Sequence, residues 1–355
     1  MLVRQGLDNF RIDTVDQRVS IILPAGNAAS SIEDCLRSLV AQQTDGVEIL
    51  VVDDASADDT ASLAESMGVR VLRREQNGGP AAARNLGVQH AKGDVLFFVD
   101  ADVVLHDGAV ARVRDCFERN PSLAAVFGSY DTEPRARGVV SQYRNLLHHF
   151  VHQQGKREAS TFWAGCGAIR RSAFLQVGGF DAEAFPRPSI EDIELGYRLR
   201  DHGYAIAIDP GLQGTHLKRW TLGSMVRTDL LCRAIPWTRL NLERGAAPDD
   251  LNIRKSQKIS VALAALASLS IPLAFLTTWA IPFGMLAVMV IVLLNLYLFR
   301  FLGRERGIFF AMLCVPLHLL YFFYSGLGFL WVNVAHHVAP RTRESERPGP
   351  MVARP

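Results

Sequence analysis

The chain has 355 residues, 38 Lys and Arg against 36 Asp and Glu, a formal net charge of +2 and 49% hydrophobic residues. That length holds one large domain with an appendage or two modest domains. So small a charge imbalance gives no electrostatic footprint for nucleic acid or for an acidic partner. The average hides a split: residues 1–258 are ordinary globular sequence and 259–335 are overwhelmingly apolar, which predicts a membrane protein with a water-soluble front half.

The first seventeen residues carry Asp8, Asp13 and Asp16 without a long apolar run, so no signal peptide is expected there. Cys35, Cys116, Cys166, Cys232 and Cys314 form no Cys-x-x-Cys pair and read as free thiols in a reducing compartment. Val19 to Leu23 reads as a first strand, closed by Pro24-Ala25-Gly26-Asn27, and Ser30 or Ser31 can cap a helix to about Ala41. Val47 to Val52 gives a second strand ending at Asp53-Asp54. A polar turn through Thr60 leads into another helix, and Val69 to Leu72 is a third short strand. This alternation predicts a parallel α/β sheet.

Asn77-Gly78-Gly79-Pro80 then opens an Ala-rich helix carrying Arg84 and Asn85. Glycines let backbone approach a phosphate closely, with Arg84 on the first turns; the alternative is a tight turn into a well-packed helix. The motif matches neither the P-loop nor the dinucleotide fingerprint. Val95 to Val99 is an apolar run suited to a strand buried on both faces, and it stops at Asp100-Ala101-Asp102. Side chains i and i+2 share a face, so a bend can bring Asp100 and Asp102 together where open α/β sheets place ligands. A hard divalent cation shared with substrate phosphates is the usual use of such a pair; a turn that caps the next helix is the other reading.

Gly108 to Arg119 reads as a helix and Leu123 to Tyr130 as a strand. His148, His149 and His152 suggest metal, but packed histidines are commoner and no Cys or carboxylate stands at ligand spacing. Ser189 to Leu199 reads as a helix capped by Ser189, with Glu191 and Asp192 in its first turn, where the helix dipole alone favours acids. The same tetrapeptide, Ser31-Ile32-Glu33-Asp34, opens the first helix, where only capping is expected of it. What distinguishes the second copy is its position after Gly178-Gly179-Phe180-Asp181.

Taken in order from Val19 to His216, these motifs resemble the family 2 glycosyltransferases, which have a GT-A fold. The Leu23-Pro24 opening, Val52-Asp53-Asp54-Ala55-Ser56, the Asn77-Gly78-Gly79 to Asn85 turn, Asp100-Ala101-Asp102, Gly178 to Asp181 and Glu191-Asp192 carry the resemblance. It implies inverting, Mg²⁺- or Mn²⁺-assisted transfer of a sugar from a UDP- or GDP-linked donor. By the same resemblance Pro24, Asp53, Asp54, Asn77, Gly78, Arg84, Asp100, Arg219 and Trp220 belong to the donor site, with Asp53 and Asp54 at the base or ribose. Asp102, Asp100 and His216 would serve the metal, and Asp192 would be the general base with Glu191 beside it. Some processive synthases have Gln-x-x-Arg-Trp after the base, whereas here His216 stands at the glutamine position before Arg219-Trp220, which favours single-sugar transfer. A carboxylate near pKa 4 deprotonates an alcohol uphill, so a hydroxyl acceptor requires a raised pKa or a late proton transfer. A lipid phosphate acceptor needs no base.

From Lys218 to Arg244, Trp220, Leu222, Met225, Leu230, Leu231 and Trp237 alternate with basic residues that outnumber Asp229 and Glu243, a composition suited to helices in the headgroup region. A core helix with a charged outer face is the alternative. Ile259 to Ile281 and Phe283 to Leu302 are long enough to span, and basic flanks at Arg254, Lys255, Lys258, Arg300, Arg304 and Arg306 place both outer ends in the cytoplasm. Ile308 to Ala335 is either one tilted span or a hairpin broken near Ser325-Gly326, leaving two to four spans. The expected organisation is thus an extension (1–17), a catalytic α/β domain (18–216), an interfacial segment (217–258), a membrane region (259–338) and a disordered tail (339–355). Expected partners are the nucleotide sugar and a lipid-linked or membrane-associated acceptor in the cell membrane. A nucleotidyltransferase would want a Gly-rich phosphate loop with a nearby Lys or Arg after the first strand, and Pro24 to Asp34 offers none. A non-catalytic membrane scaffold remains compatible with intact motifs.

Overall fold

The structure is a computed structural model that describes residues 18–245 and 255–338, so the extension, the tail and the join at 246–254 lie outside the described residues. The chain opens with β1 (Val19–Ala25), α1 (Ile32–Val40), β2 (Val47–Asp53), α2 (Thr60–Ser66), β3 (Arg70–Arg73) and α3 (Gly79–His90). It continues through β4 (Val95–Val99), β5 (Val103–Leu105), α4 (Ala109–Arg119), β6 (Leu123–Tyr130) and α5 (Val139–Gln153). The α/β half closes with β7 (Cys166–Arg170), α6 (Arg171–Gln176), α7 (Glu191–Asp201) and β8 (Ala205–His216).

The described strands form one sheet in the order β3-β2-β1-β4-β7-β6-β8-β5. Pairings of β1 with β2 and β4, β2 with β3, and β6 with β8 are parallel. Strand β7 lies antiparallel between β4 and β6, and β5 lies antiparallel to β8, so the sheet is mixed, with its parallel character concentrated in the first half. Both faces are covered. Ile21, Leu23, Val51 and Phe97 point into one core, with Leu36 of α1 and Val113 of α4. Ile22, Leu50, Leu96 and Phe98 point into the other, with Ala81 of α3 and Leu195 of α7. Burial on both faces explains why these strands read as unbroken apolar runs rather than alternating ones.

Two expected caps differ from the structure. Ser31 occupies the cap position of α1, but its hydroxyl donates back to the Ala28 carbonyl instead of accepting from the helix. At α7 the cap position is Ile190, and the Ser189 hydroxyl donates 3.1 Å to the Cys232 carbonyl, tying the acidic helix to the segment beyond the sheet. Gly79 is required where it stands: its φ is +79°, and a Cβ there would sit 2.6 Å from the Pro186 carbonyl oxygen.

Beyond the sheet come α8 (Leu222–Asp229), a π-helical turn at Leu230–Ala234, α9 (Ile235–Arg244), α10 (Lys255–Leu273), α11 (Ala280–Leu294), α12 (Leu296–Arg306) and α13 (Ile308–Val338). Among the described residues α10 and α13 are long and apolar enough to cross a membrane. The expected second span is broken: α11 and α12 meet at 68°, and only together do they pass as a third span. The break is held by Asn295, whose amide donates to the Ser260 hydroxyl at 3.1 Å and to the Ile291 carbonyl at 2.9 Å, while Gln257 donates to its Oδ1. The expected alternative of a hairpin near Ser325 is not adopted, since α13 runs unbroken through Gly326 and Gly328. Small residues there let helices approach closely; a Cβ on Gly328 would meet Leu230 at 3.0 Å and Ala234 at 3.2 Å.

Asp229, expected with Glu243 as one of two acids in a basic interfacial segment, is instead buried at the junction of the two halves. It accepts from Arg144 of α5 at 2.7 Å, Tyr324 of α13 at 2.7 Å and Arg233 at 3.3 Å. A buried carboxylate is tolerable only with such partners.

Candidate active site

The carboxyl ends of β1, β2 and β4 gather the expected donor residues. Asp53 ends β2, is 5% exposed, and its buried Oδ1 has no hydrogen-bond partner among the described residues. An unpaired buried oxygen costs desolvation without return, so this atom is suited to a donor group on a ligand. Asp54 is engaged differently from the expectation. Its carboxylate accepts from the N–H groups of Gly78 (3.0 Å) and Gly79 (2.7 Å) and pairs with Arg74, while the Asn77 amide donates to its carbonyl. The glycine loop therefore wraps this carboxylate, and its amides are not open to a phosphate. Pro24 is partly buried at the end of β1.

Arg84 sits where the sequence places it, on the first turns of α3, but it faces two carboxylates. It is 4% exposed, donates 2.7 Å to Asp100 Oδ1 and 3.0 Å to Glu191 Oε1, and lies over the Phe180 ring at 5.4 Å. Glu191 is buried, with its other oxygen on the Ser189 N–H. The guanidinium thereby fastens the end of β4 to the start of α7. Burial lifts the Asp100 carboxyl above its usual value, Arg84 pulls it down, and the charge of Asp102 adds to the rise.

Asp102 and His216 are brought together by strand register, because β5 pairs with β8 so that Val103 faces His216. The Leu217 N–H donates 2.9 Å to the Asp102 carbonyl, and Nε2 of His216 lies 3.6 Å from Asp102 Oδ2. Burial pushes the Asp102 carboxyl up, but the hydrogen bond and charge of His216, with Lys218, outweigh it and hold the group below the usual range. An ionised, partly exposed carboxylate beside an imidazole fits a divalent cation that takes its remaining ligands from substrate phosphate and water. Among the described residues no group of three His, Cys, Asp or Glu could hold an ion. A cation here would therefore lean on the diphosphate.

Asp192 differs from its neighbour. It is only partly buried and among the described residues makes no ion pair; its oxygens accept from the Ala164 N–H at 3.1 Å and the Ile193 N–H at 2.8 Å. Burial, and next the charge of Glu191, push its carboxyl up to about 7. The two acids of one tetrapeptide thus part company: Glu191 is locked to Arg84, and Asp192 is poised to exchange a proton near neutrality.

Trp220 lies beside the centre, its ring 6.5 Å from that of His216, but it faces the C-terminal helices. The Trp220 ring packs with Tyr143, Leu298, Phe299 and Cys314, joining α5 to the C-terminal helices, and Arg219 is exposed. The histidines of α5 pack as the blander sequence reading has it: His149 bonds the Tyr130 carbonyl and His152 the Gly128 carbonyl. Sequence reasoning missed Tyr130, whose ring stacks on His216 at 4.1 Å and meets Trp163 edge-on. Its place at the end of β6, a strand that pairs with the one carrying His216, was the available signal. The backbone of Ala164 and Gly165, which holds Asp192 on one side and the Asp100 N–H on the other, left no trace in side-chain chemistry.

Residues 20–178 match the model of glycosyl transferase family 2. That stretch is therefore similar to glycosyl transferase family 2, as its motifs led one to expect. The poly-β-1,6-N-acetyl-D-glucosamine synthase of Staphylococcus aureus (strain COL) is 27% identical to this chain over 220 residues, covering 58% of the chain and 52% of the relative. That of Staphylococcus epidermidis is 26% identical over 205 residues, covering 54% and 48%. The chain thus spans about half the length of the curated relatives it matches. Among solved structures, mannosyltransferase PcManGT from Pyrobaculum calidifontis, in complex with GDP-Man and Mn²⁺, superposes with a TM-score of 0.59 at 19% identity, over 90% of this chain and 88% of that one. The GT-A fold expected from the sequence is therefore the fold observed, and the likeness extends beyond the α/β half into the C-terminal helices.

Proposed function

We propose that this chain transfers a single sugar, with inversion, from a UDP- or GDP-linked donor to a hydroxyl on a lipid-linked or membrane-associated acceptor. The observation that carries the reading is the separation of Glu191 and Asp192, which leaves one carboxylate titrating near 7 at the mouth of the site. Asp53, with its unpaired oxygen, would hold the base or ribose, and Asp100 would lie near the ribose. Asp102 and His216 would hold Mg²⁺ or Mn²⁺, which when bound neutralises charge on the departing diphosphate. Asp192 would take the acceptor proton from the face opposite the leaving group. A carboxyl titrating near 7 suits a hydroxyl, which needs a base, better than a lipid phosphate, which does not.

A second reading, processive polymer synthesis, is favoured by the names of the staphylococcal relatives. Against it stand His216 in place of glutamine and the burial of Trp220, which is 7% exposed and closed to an acceptor chain. Release of nucleoside diphosphate from a panel of UDP- and GDP-sugars, with Mn²⁺ or with chelator, separates a transferase from a nucleotidyltransferase and from a scaffold. Metal-dependent diphosphate release is expected; pyrophosphate release, or none with any donor, contradicts the proposal.

Asp102→Ala should remove most of the metal-dependent affinity for UDP or GDP. Calorimetry that finds equal affinity in chelator and in Mn²⁺ for the unsubstituted protein would refute metal assistance.

The reading also places the enzyme in the membrane as a multi-pass protein with its catalytic domain in the cytoplasm, where nucleotide sugars are made. Its support is the pair Lys255 and Lys258 in the first turn of α10 and the run of Arg300, Arg304 and Arg306 after α11. A cysteine at Thr278, between α10 and α11, should react with an impermeant maleimide in intact cells, whereas one at Gly303 should not. The reverse pattern means the opposite orientation.

A further inference from the structure

We infer that the cavity between α5 and α12 binds the headgroup of an anionic phospholipid, an inference that rests on the membrane placement of the C-terminal helices. The cavity has a volume of about 360 Å³ and is lined by His149 and Phe150 from α5 and by Tyr297, Arg300, Phe301 and Arg304 from α12. Those four α12 residues fall at i, i+3, i+4 and i+7, so one face of α12 supplies the wall opposite α5.

Position and charge select the ligand. Helix α11 is apolar along its length and ends at Asn295, where the chain turns through 68° into α12. A helix bearing tyrosine and arginines that turns away at the end of an apolar span belongs at headgroup depth. The arginines of α12 are used unequally. Arg306 donates to Gln142 at 2.8 Å, to Glu133 at 3.1 Å and to the Thr132 carbonyl, which pins α12 to the catalytic domain. Arg300 and Arg304 are exposed, and among the described residues neither pairs with a carboxylate. Two unpaired guanidinium groups over an apolar floor suit a phosphodiester, which each can bind through two parallel N–H donors. The floor is firm: the Phe301 ring stacks on His149 at 5.7 Å and packs against Phe150 at 5.5 Å. Exposed Leu293 and Leu294, at the end of α11, offer apolar surface to the acyl chains. None of the lining residues is Asp53, Asp102, Asp192 or His216, so the cavity is distinct from the donor and base residues.

The test is native mass spectrometry of the full chain purified in detergent, incubated with phosphatidylglycerol, with phosphatidylcholine, or with inorganic phosphate. The protein should retain phosphatidylglycerol over phosphatidylcholine, and Arg300→Gln with Arg304→Gln should weaken that retention about twenty-five-fold, each arginine near a membrane surface contributing about a factor of five. Arg119→Gln, an exposed change on α4, should leave retention unaltered. Equal retention of the two lipids, or undiminished phosphatidylglycerol binding by a double variant that elutes and melts as the parent does, overturns the inference. Displacement of phosphatidylglycerol by millimolar inorganic phosphate would make this a free-phosphate site and overturn the lipid assignment. The readout is lipid bound rather than sugar transferred, so it stands or falls separately from the glycosyltransferase reading.

Discussion

Asp192→Asn is expected to lower sugar transfer to a hydroxyl acceptor by about a hundredfold or more while leaving donor affinity intact, since general-base contributions are of that size. The unsubstituted enzyme should lose kcat/KM as pH falls through about 7, because protonation of Asp192 removes the base. Stability runs the other way. A carboxyl whose folded value is raised favours the neutral form in the fold, so its stabilising contribution is full below the unfolded value and lost as pH rises through about 7. Asn mimics the neutral acid, and Asp192→Asn should therefore melt higher than the parent at pH 8, with the gap narrowing at pH 5. The twin tetrapeptide supplies the control. Asp34 bonds Arg37 at 3.0 Å and also pairs with Arg135, so it links α1 to the segment after β6 rather than merely favouring a helix end. Asp34→Asn should cost at most about 1 kcal/mol, as partly exposed ion pairs do, and leave transfer unchanged. Near-normal turnover by Asp192→Asn with a verified hydroxyl acceptor would remove Asp192 as the base.

The second large effect belongs to Arg84. Arg84→Met removes the cation shared by Asp100 and Glu191 and leaves Glu191 as a buried, uncompensated charge. Losing one partner of a buried pair costs about 3–5 kcal/mol, and the partial exposure of Asp100 argues for the lower end. At about 2–4 °C per kcal/mol for a domain of this size, the melting point should fall by roughly 10 °C. Glu191→Gln in the same chain should recover part of that loss by removing the orphaned charge, a coupling that two independent sites would not display. Unchanged melting of Arg84→Met would mean that the bridge adds nothing to the fold.

Much of this was legible in the sequence, for identifiable reasons. Strands buried on both faces announce themselves as apolar runs, so β1, β2, β4 and β6 fall where hydropathy puts them, and acids at their carboxyl ends mark the site. Side-chain partners were not legible. Asp54, Gly78 and Gly79 look like donor-binding residues, yet the carboxylate closes the glycine loop on itself, which depends on an approach between segments 25 residues apart. Arg84 looks like a phosphate ligand until α7, far along the chain, brings Glu191 to it. The bend in the second span was hidden for a similar reason: Asn295 is one polar residue in an apolar stretch, and only the partners Ser260 and Gln257 on another helix make it a bend. Composition reports what is apolar, whereas register and crossing geometry decide which polar groups meet.

Inversion at the anomeric carbon is the claim on which base, metal pair and acceptor depend together. Once the donor panel has identified the sugar, proton NMR of the product formed in the first turnovers reports its anomeric configuration directly. A donor with an α-linked sugar should give a β-linked product, as displacement by a hydroxyl deprotonated at Asp192 requires. An α-linked product would contradict the account, because it demands a second displacement or a front-face attack for which Asp192 is not the base.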